Sequence, residues 1–92
     1  MNKQKILIAD DEAQIREILR IYFEKENFEV IEAEDGAAAI LKVQAEKPDI
    51  LLLDIEMGAM DGVTLAKRVR RDNETVQIVF ITGYSDYIAE GY

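Results

Sequence analysis

A chain of 92 residues, 49% hydrophobic and 33% charged, has the size and balance of one small globular domain. Its formal charge of -8 opposes non-specific binding of nucleic acid. The absence of cysteine and histidine excludes disulfides, thiolate and imidazole metal ligands, and a histidine base or nucleophile of its own. No apolar run approaches the roughly 20 residues needed to cross a bilayer. The start Met1-Asn2-Lys3-Gln4-Lys5 leads straight into an apolar run and leaves no room for a signal peptide, so a cytoplasmic location is expected.

In chain order, strand and helix patterns alternate. Lys5 to Ala9 is an apolar run that predicts a buried strand, closed by Asp10 and Asp11. Ile15, Ile18, Leu19, Tyr22 and Phe23 follow at the spacing of an amphipathic helix and are expected to face inward. Asn27 suits the C-terminal end of that helix. Phe28 to Ala33 alternates and reads as a shorter strand at a sheet edge. Asp35 is a good N-cap for a second helix, with Gly36, Ala39, Ile40 and Val43 on one face. Lys47-Pro48-Asp49 breaks it.

Ile50 to Leu53 is the second continuous apolar run, a central strand closed by Asp54. Asp61 caps a third helix with Leu65, Ala66 and Val69 inward. Its basic cluster Lys67, Arg68, Arg70 and Arg71 reads as a solvated face rather than a docking patch. After the turn at Asn73-Glu74, Val76 to Ile81 is a fourth strand closed by Thr82-Gly83. Tyr84 to Tyr92 begins a fourth helix, with Tyr87, Ile88 and Gly91 inward. The fold class is therefore α/β: a doubly wound parallel sheet, its crossovers right-handed, in the order 2-1-3-4.

In such a sheet ligands bind beyond the carboxyl ends of the strands at the switch point, here between the first and third strands. Those two strands end in Asp10, Asp11 and Asp54. Each alone reads as a helix cap or a loop solubiliser; together they form a candidate site. Like charges so close raise one another's pKa, and a divalent cation relieves them. Mg²⁺ suits a few carboxylates plus water and phosphate oxygens, which points to metal-assisted phosphoryl chemistry. Thr82, at the end of the neighbouring strand, is equally readable as a phosphate-bonding hydroxyl and as an ordinary strand end. The loop from Met57 to Gly62 offers exposed carbonyls.

The pieces ILIADDE, EDGAAAI, KPDILLLDIEM, MDG and IVFITG, in this order, resemble the response-regulator receiver domain of two-component signalling, across nearly the whole chain. The ending ITGYSDYIAEGY also resembles receivers that carry a LytTR-type DNA-binding effector. The resemblance implies a flavodoxin-like receiver fold over residues 1–92. It implies Asp54 as phosphoacceptor, Asp11 as direct Mg²⁺ ligand, and Asp10 as its acidic neighbour. It further implies a metal ligand in the Glu56 backbone carbonyl and a switch hydroxyl in Thr82. The implied partners are a sensor histidine kinase, which supplies the donor phosphohistidine, and an effector outside this segment; neither nucleic acid nor membrane is bound directly. The domain is expected to transfer and lose its own phosphoryl group and not to act as a turnover enzyme.

Two departures are visible. Gly58 stands where the family usually has proline. The chain stops inside the expected fourth helix, so the family's fifth strand, fifth helix and phosphoryl-pairing lysine have no match here, and the fourth strand is expected to be a sticky edge that promotes self-association. Glu56 and Tyr84 occupy positions that tune phosphoryl lifetime in the family, and Tyr84 is expected to slow hydrolysis. An interaction module that no longer depends on phosphorylation is the alternative. A Mg²⁺-dependent aspartyl phosphohydrolase fits less well, because the first strand ends in adjacent acids rather than Asp-x-Asp. A dinucleotide domain would need a glycine-rich phosphate loop.

Overall fold

A computed structural model describes residues 3–57 and 61–81. They form β1 (Lys5–Ala9), α1 (Ala13–Lys25), β2 (Glu29–Ala33), α2 (Gly36–Glu46), β3 (Ile50–Asp54), α3 (Gly62–Asp72) and β4 (Gln77–Ile81). The strands make one sheet in the order β2-β1-β3-β4, as the sequence predicts. Every pairing is parallel, with Ala9 level with Ala33 on one side and with Leu53 on the other. The expected fourth helix, Thr82 and the tyrosines beyond it lie outside the described residues, as does Gly58.

Central position explains the two continuous apolar runs. β1 and β3 are covered on both faces, so residues of both parities are apolar. Leu7, Ala9, Leu51 and Leu53 face α2 and α3 and join Ala39, Val43, Leu65 and Val69 in the larger core. Ile6, Ile8 and Leu52 face the other way, toward Leu19 and Phe23 of α1 and toward Phe28 and Val30. Side chains alternate across a strand, so one register error would exchange these two cores.

The helix ends follow their local chemistry. The Asp35 carboxylate accepts from the Ala38 N–H at 2.8 Å and the Asp61 carboxylate from the Thr64 N–H at 2.8 Å, each closing one orphan donor of a first turn. Asn27 has φ 70 just past α1 and Lys47 has φ 48 just past α2. Asparagine tolerates that left-handed conformation, and the proline after Lys47 prevents the helix from continuing.

The inward stripe of α1 is narrower than its periodicity suggests. Leu19 and Phe23 pack on the sheet, and Ile15 is half-buried, but Ile18 is 63% exposed and Tyr22 56% exposed. The expectation that Ile18 and Tyr22 face the core is therefore corrected. Among the described residues, α1 is the one helix on its side of the sheet, over β1 and β2. A lone helix on a flat surface buries an i, i+4, i+8 row and leaves its flank to solvent. α2 and α3, in contrast, lie side by side and bury each other's flanks. Tyr22 instead packs edge-on against Phe23, ring centroids 5.1 Å apart.

β4 also starts one residue later than expected. The Val76 N–H is taken by the Asn73 side chain at 3.0 Å, so Val76 is buried but outside the ladder. No described helix is long and apolar enough to cross a membrane.

Candidate functional site

The site lies where the pairing of β1 with β3 runs out. Ala9 and Leu53 are partners in the ladder, so the next residues, Asp10 and Asp54, emerge side by side at the carboxyl edge. Asp11 follows Asp10 into the loop. One carboxylate oxygen from each of Asp10, Asp11 and Asp54 lies within 4.8 Å of the others. The structure thus brings together the three acids that the sequence placed at two strand ends. Asp10 is 4% exposed and Asp54 9% exposed, whereas Asp11 is open to solvent.

Each buried carboxylate is held by the backbone of its own loop. Asp10 Oδ1 accepts from the Glu12 N–H at 2.8 Å, and Asp54 Oδ1 accepts from the Glu56 N–H at 3.0 Å. These two-residue turns, typical of aspartate, fix the plane of each carboxyl group. They occupy one oxygen of each and leave the other with no described protein donor. Glu56, expected to contribute its carbonyl, stands on the loop beside Asp54 and holds that side chain through its N–H.

The main chain on either side is equally constrained. The Asp10 N–H donates to the Ala33 carbonyl at 3.1 Å, tying the end of β1 to the end of β2. The Ile55 N–H donates to the Ile81 carbonyl at 3.0 Å, and the Gly62 N–H to the Ile55 carbonyl at 2.8 Å. The turn after Asp54 is thereby pinned between β4 and the first turn of α3. Gly62 is buried where α3 abuts this turn. A Cβ there would lie 2.5 Å from the Asp54 carbonyl oxygen and 2.8 Å from Ile55 Cα. Close approach of two backbones, rather than freedom of a loop, is what Gly62 provides. The sequence contains this glycine, but its reason depends on a helix position that only packing reveals.

Electrostatically the site is under strain. Desolvation raises the Asp10 pKa above the ordinary 3.8, and the charges of Asp54 and Asp11 raise it further, against the Glu12 N–H and Arg16. Asp54 is also raised, first by desolvation and then by Asp11, Glu56 and Glu12, against the Glu56 N–H. The donor set consists of hard carboxylate oxygens with two buried charges to neutralise, which is the chemistry of a hard divalent cation site. The residues present fit such an ion.

A pH dependence follows for the protein in chelator. Between 3.8 and their raised native values, folded Asp10 and Asp54 bind protons that the unfolded chain does not. Their contribution therefore increases stability as pH falls from neutrality through this window, and is lost as pH rises through the native pKa values. Asp61 acts in the opposite sense: its pKa is lowered by the Thr64 N–H, so its contribution is present above 3.8 and lost on further acidification. The melting temperature should rise on mild acidification, and less so in Asp54→Asn. Equal slopes in both proteins would show that Asp54 carries no such strain.

Two contributors were not legible beforehand. Arg16 donates to the Asp10 backbone carbonyl at 2.7 Å and to Glu32 at 3.1 Å. A carbonyl acceptor leaves no mark in the sequence, so nothing singled out either side chain. Conversely, Thr82 and Tyr84 lie outside the described residues, and the structure places neither relative to the acids.

The family model for the response regulator receiver domain matches residues 6–91. Sporulation initiation phosphotransferase F of Bacillus subtilis is 36% identical over 86 residues, covering 94% of this chain and 69% of that protein. The transcriptional regulatory protein ResD of B. subtilis is 36% identical over 104 residues, 99% of this chain but 43% of its own length. This chain therefore spans less than half of that regulator. Among solved structures, response regulator TrrA from Thermotoga maritima, in complex with Mg²⁺-BeF, superposes with a TM-score of 0.84 at 34% identity, covering 96% of this chain and 76% of TrrA. The receiver domain of AraT from Geobacillus stearothermophilus gives 0.82 at 39% identity, covering 97% and 71%.

Proposed function

Since the chain belongs to the response regulator receiver domain family, we propose that it is the phosphoacceptor module of a two-component phosphorelay. The observation that carries this is the convergence of Asp10, Asp11 and Asp54 within 4.8 Å at the carboxyl edge of β1 and β3.

In this reading Asp54 is the acceptor. Its Oδ1 is held by the Glu56 N–H, so the other oxygen is the nucleophile. It forms the new O–P bond as the N–P bond to a partner's phosphohistidine breaks, and the imidazole leaves with the bond's electron pair. Asp10 and Asp11, together with Asp54 and the Glu56 backbone carbonyl, would hold Mg²⁺. When bound, Mg²⁺ supplies the positive charge that offsets the acids and the phosphoryl oxygens. The fixed planes of Asp10 and Asp54 contribute positioning, which makes up much of the catalysis in phosphoryl transfer. Thr82 is the candidate hydroxyl that senses the phosphoryl group.

The donor kinase and any effector are separate from this segment. Two of the relatives are named for regulation of transcription or for phosphotransfer in sporulation, and this supports a signalling role rather than turnover of a free substrate. The magnesium complex of TrrA supports Mg²⁺ as the ion.

Intact mass after incubation with acetyl phosphate tests the proposal. One phosphoryl adduct is expected with Mg²⁺ and none in chelator. A folded protein that takes up no phosphoryl group with Mg²⁺, from acetyl phosphate or from a phosphorylated kinase, would refute it.

A further inference from the structure

Arg16 is the one cation that acts on the charge of Asp10, yet it bonds none of the three carboxylates of the site. Its guanidinium is mostly buried, 15% exposed as a side chain. One terminal nitrogen, Nη1, donates to the Asp10 main-chain carbonyl at 2.7 Å, while Nε donates to Glu32 Oε1 at 3.1 Å. Glu32 is in turn anchored at the end of β2. Its second oxygen is 3.0 Å from Arg20 Nε, off the line of a hydrogen bond, and its backbone carbonyl accepts from Lys42 of α2. Arg16 therefore ties the first turns of α1 to the ends of both β1 and β2, at the residue where the chain turns from strand to acid loop.

We infer that Arg16 is a positioning residue for the cation site: its guanidinium, braced against Glu32, fixes the Asp10 main chain so that the Asp10 and Asp11 carboxylates face Asp54. The inference rests on the reading of this site as a Mg²⁺ site. With the Asp10 N–H on Ala33 and the carbonyl on Arg16, both polar main-chain groups of Asp10 are held. With Oδ1 on the Glu12 N–H, the side chain has no rotamer to search before a cation arrives. Groups that orient metal ligands in this way typically influence affinity by about tenfold or more. The planar fork of arginine serves two acceptors in fixed directions, which a lysine ammonium does not reproduce.

Electrostatics alone predicts the opposite outcome. Arg16 repels a cation, so deleting its charge should tighten Mg²⁺ binding if charge is all it contributes. Positioning predicts weaker binding. Arg20 is the internal control, because it shares Glu32 but makes no bond to Asp10.

The test is a calorimetric Mg²⁺ titration of wild type, Arg16→Gln, Arg16→Lys and Arg20→Gln, each shown to be folded by circular dichroism. Arg16→Gln should bind about tenfold more weakly, Arg16→Lys should fall between it and wild type, and Arg20→Gln should match wild type or bind slightly more tightly. The rate of labelling by acetyl phosphate in Arg16→Gln should return toward wild type at saturating Mg²⁺, a loss in apparent metal affinity rather than in maximal rate. Should Arg16→Gln fail to fold, Arg16→Lys, which keeps the charge but loses the planar fork, is expected to bind more weakly where Arg20→Gln does not, and wild-type-like binding by it would overturn the role.

Wild-type-like or tighter binding by Arg16→Gln would overturn the positioning role and leave the Mg²⁺ site standing. A wild-type protein that binds no Mg²⁺ would overturn both.

Discussion

Asp54→Asn is expected to abolish phosphoryl uptake while leaving the chain folded and, in chelator, with a higher melting temperature than wild type. Asparagine retains a side-chain oxygen in the place where Asp54 accepts the Glu56 N–H, so the loop keeps its turn. The carboxylate nucleophile is lost, because an amide oxygen does not form a stable phosphoryl bond. The stability gain has a separate cause. Asp54 is buried to 9% exposure and desolvated beside Asp11, Glu56 and Glu12, all of which oppose its charge. Removing that charge relieves the repulsion, and the gain should shrink when Mg²⁺ is added to both proteins. Mass spectrometry after acetyl phosphate treatment and paired melts with Mg²⁺ and with chelator measure both effects. An adduct of undiminished yield in Asp54→Asn would place the acceptor elsewhere.

Gly62→Ala should be the most damaging conservative change in the described fold. Its new Cβ would sit 2.5 Å from the Asp54 carbonyl oxygen and 2.8 Å from Ile55 Cα, both backbone atoms that cannot rotate away. Relief requires α3 to move off the sheet or the Asp54 turn to shift. Moving α3 disturbs Leu65 and Val69, which are fully or nearly buried in the larger core. Moving the turn breaks the 2.8 Å bond from the Gly62 N–H to Ile55. Overpacking of this kind costs about 1–3 kcal/mol or more, and the better helix propensity of alanine returns roughly 1 kcal/mol at most. A net loss of about 1–2 kcal/mol lowers the melting temperature by roughly 5–15 °C in a domain of this size. Mg²⁺ affinity should fall too, since Asp54 moves with its main chain. Equal stability and equal Mg²⁺ binding would mean that α3 is free to yield.

Much of this site was readable because its acids sit at the ends of apolar runs. Ile6 to Ala9 and Ile50 to Leu53 read as buried strands of a parallel sheet, and parallel strands expose their carboxyl ends on one edge. Asp10, Asp11 and Asp54 were therefore legible in the sequence. Asp35 and Asp61 were equally legible as caps, because capping is a local interaction across three residues. The α1 stripe was less legible. Ile18 and Tyr22 satisfy the same helical period as Leu19 and Phe23, and periodicity carries no information on how wide a neighbouring surface is.

By itself, then, the sequence determined what depends on local chemistry and on period: the alternation of strands and helices, the central placing of β1 and β3, the helix caps, and the three acids of the site. Tertiary structure alone decided what depends on contacts between distant backbones. It set Asp10 beside Asp54 through the pairing of Ala9 with Leu53. It pressed α3 onto the Asp54 turn so closely that position 62 admits no side chain. It also directed Arg16 to a carbonyl six residues earlier and to Glu32 on another strand. The physical reason is common to all three. Main-chain groups are the same for every residue type, so which carbonyls and backbones will meet leaves no pattern in composition or spacing until the chain has folded.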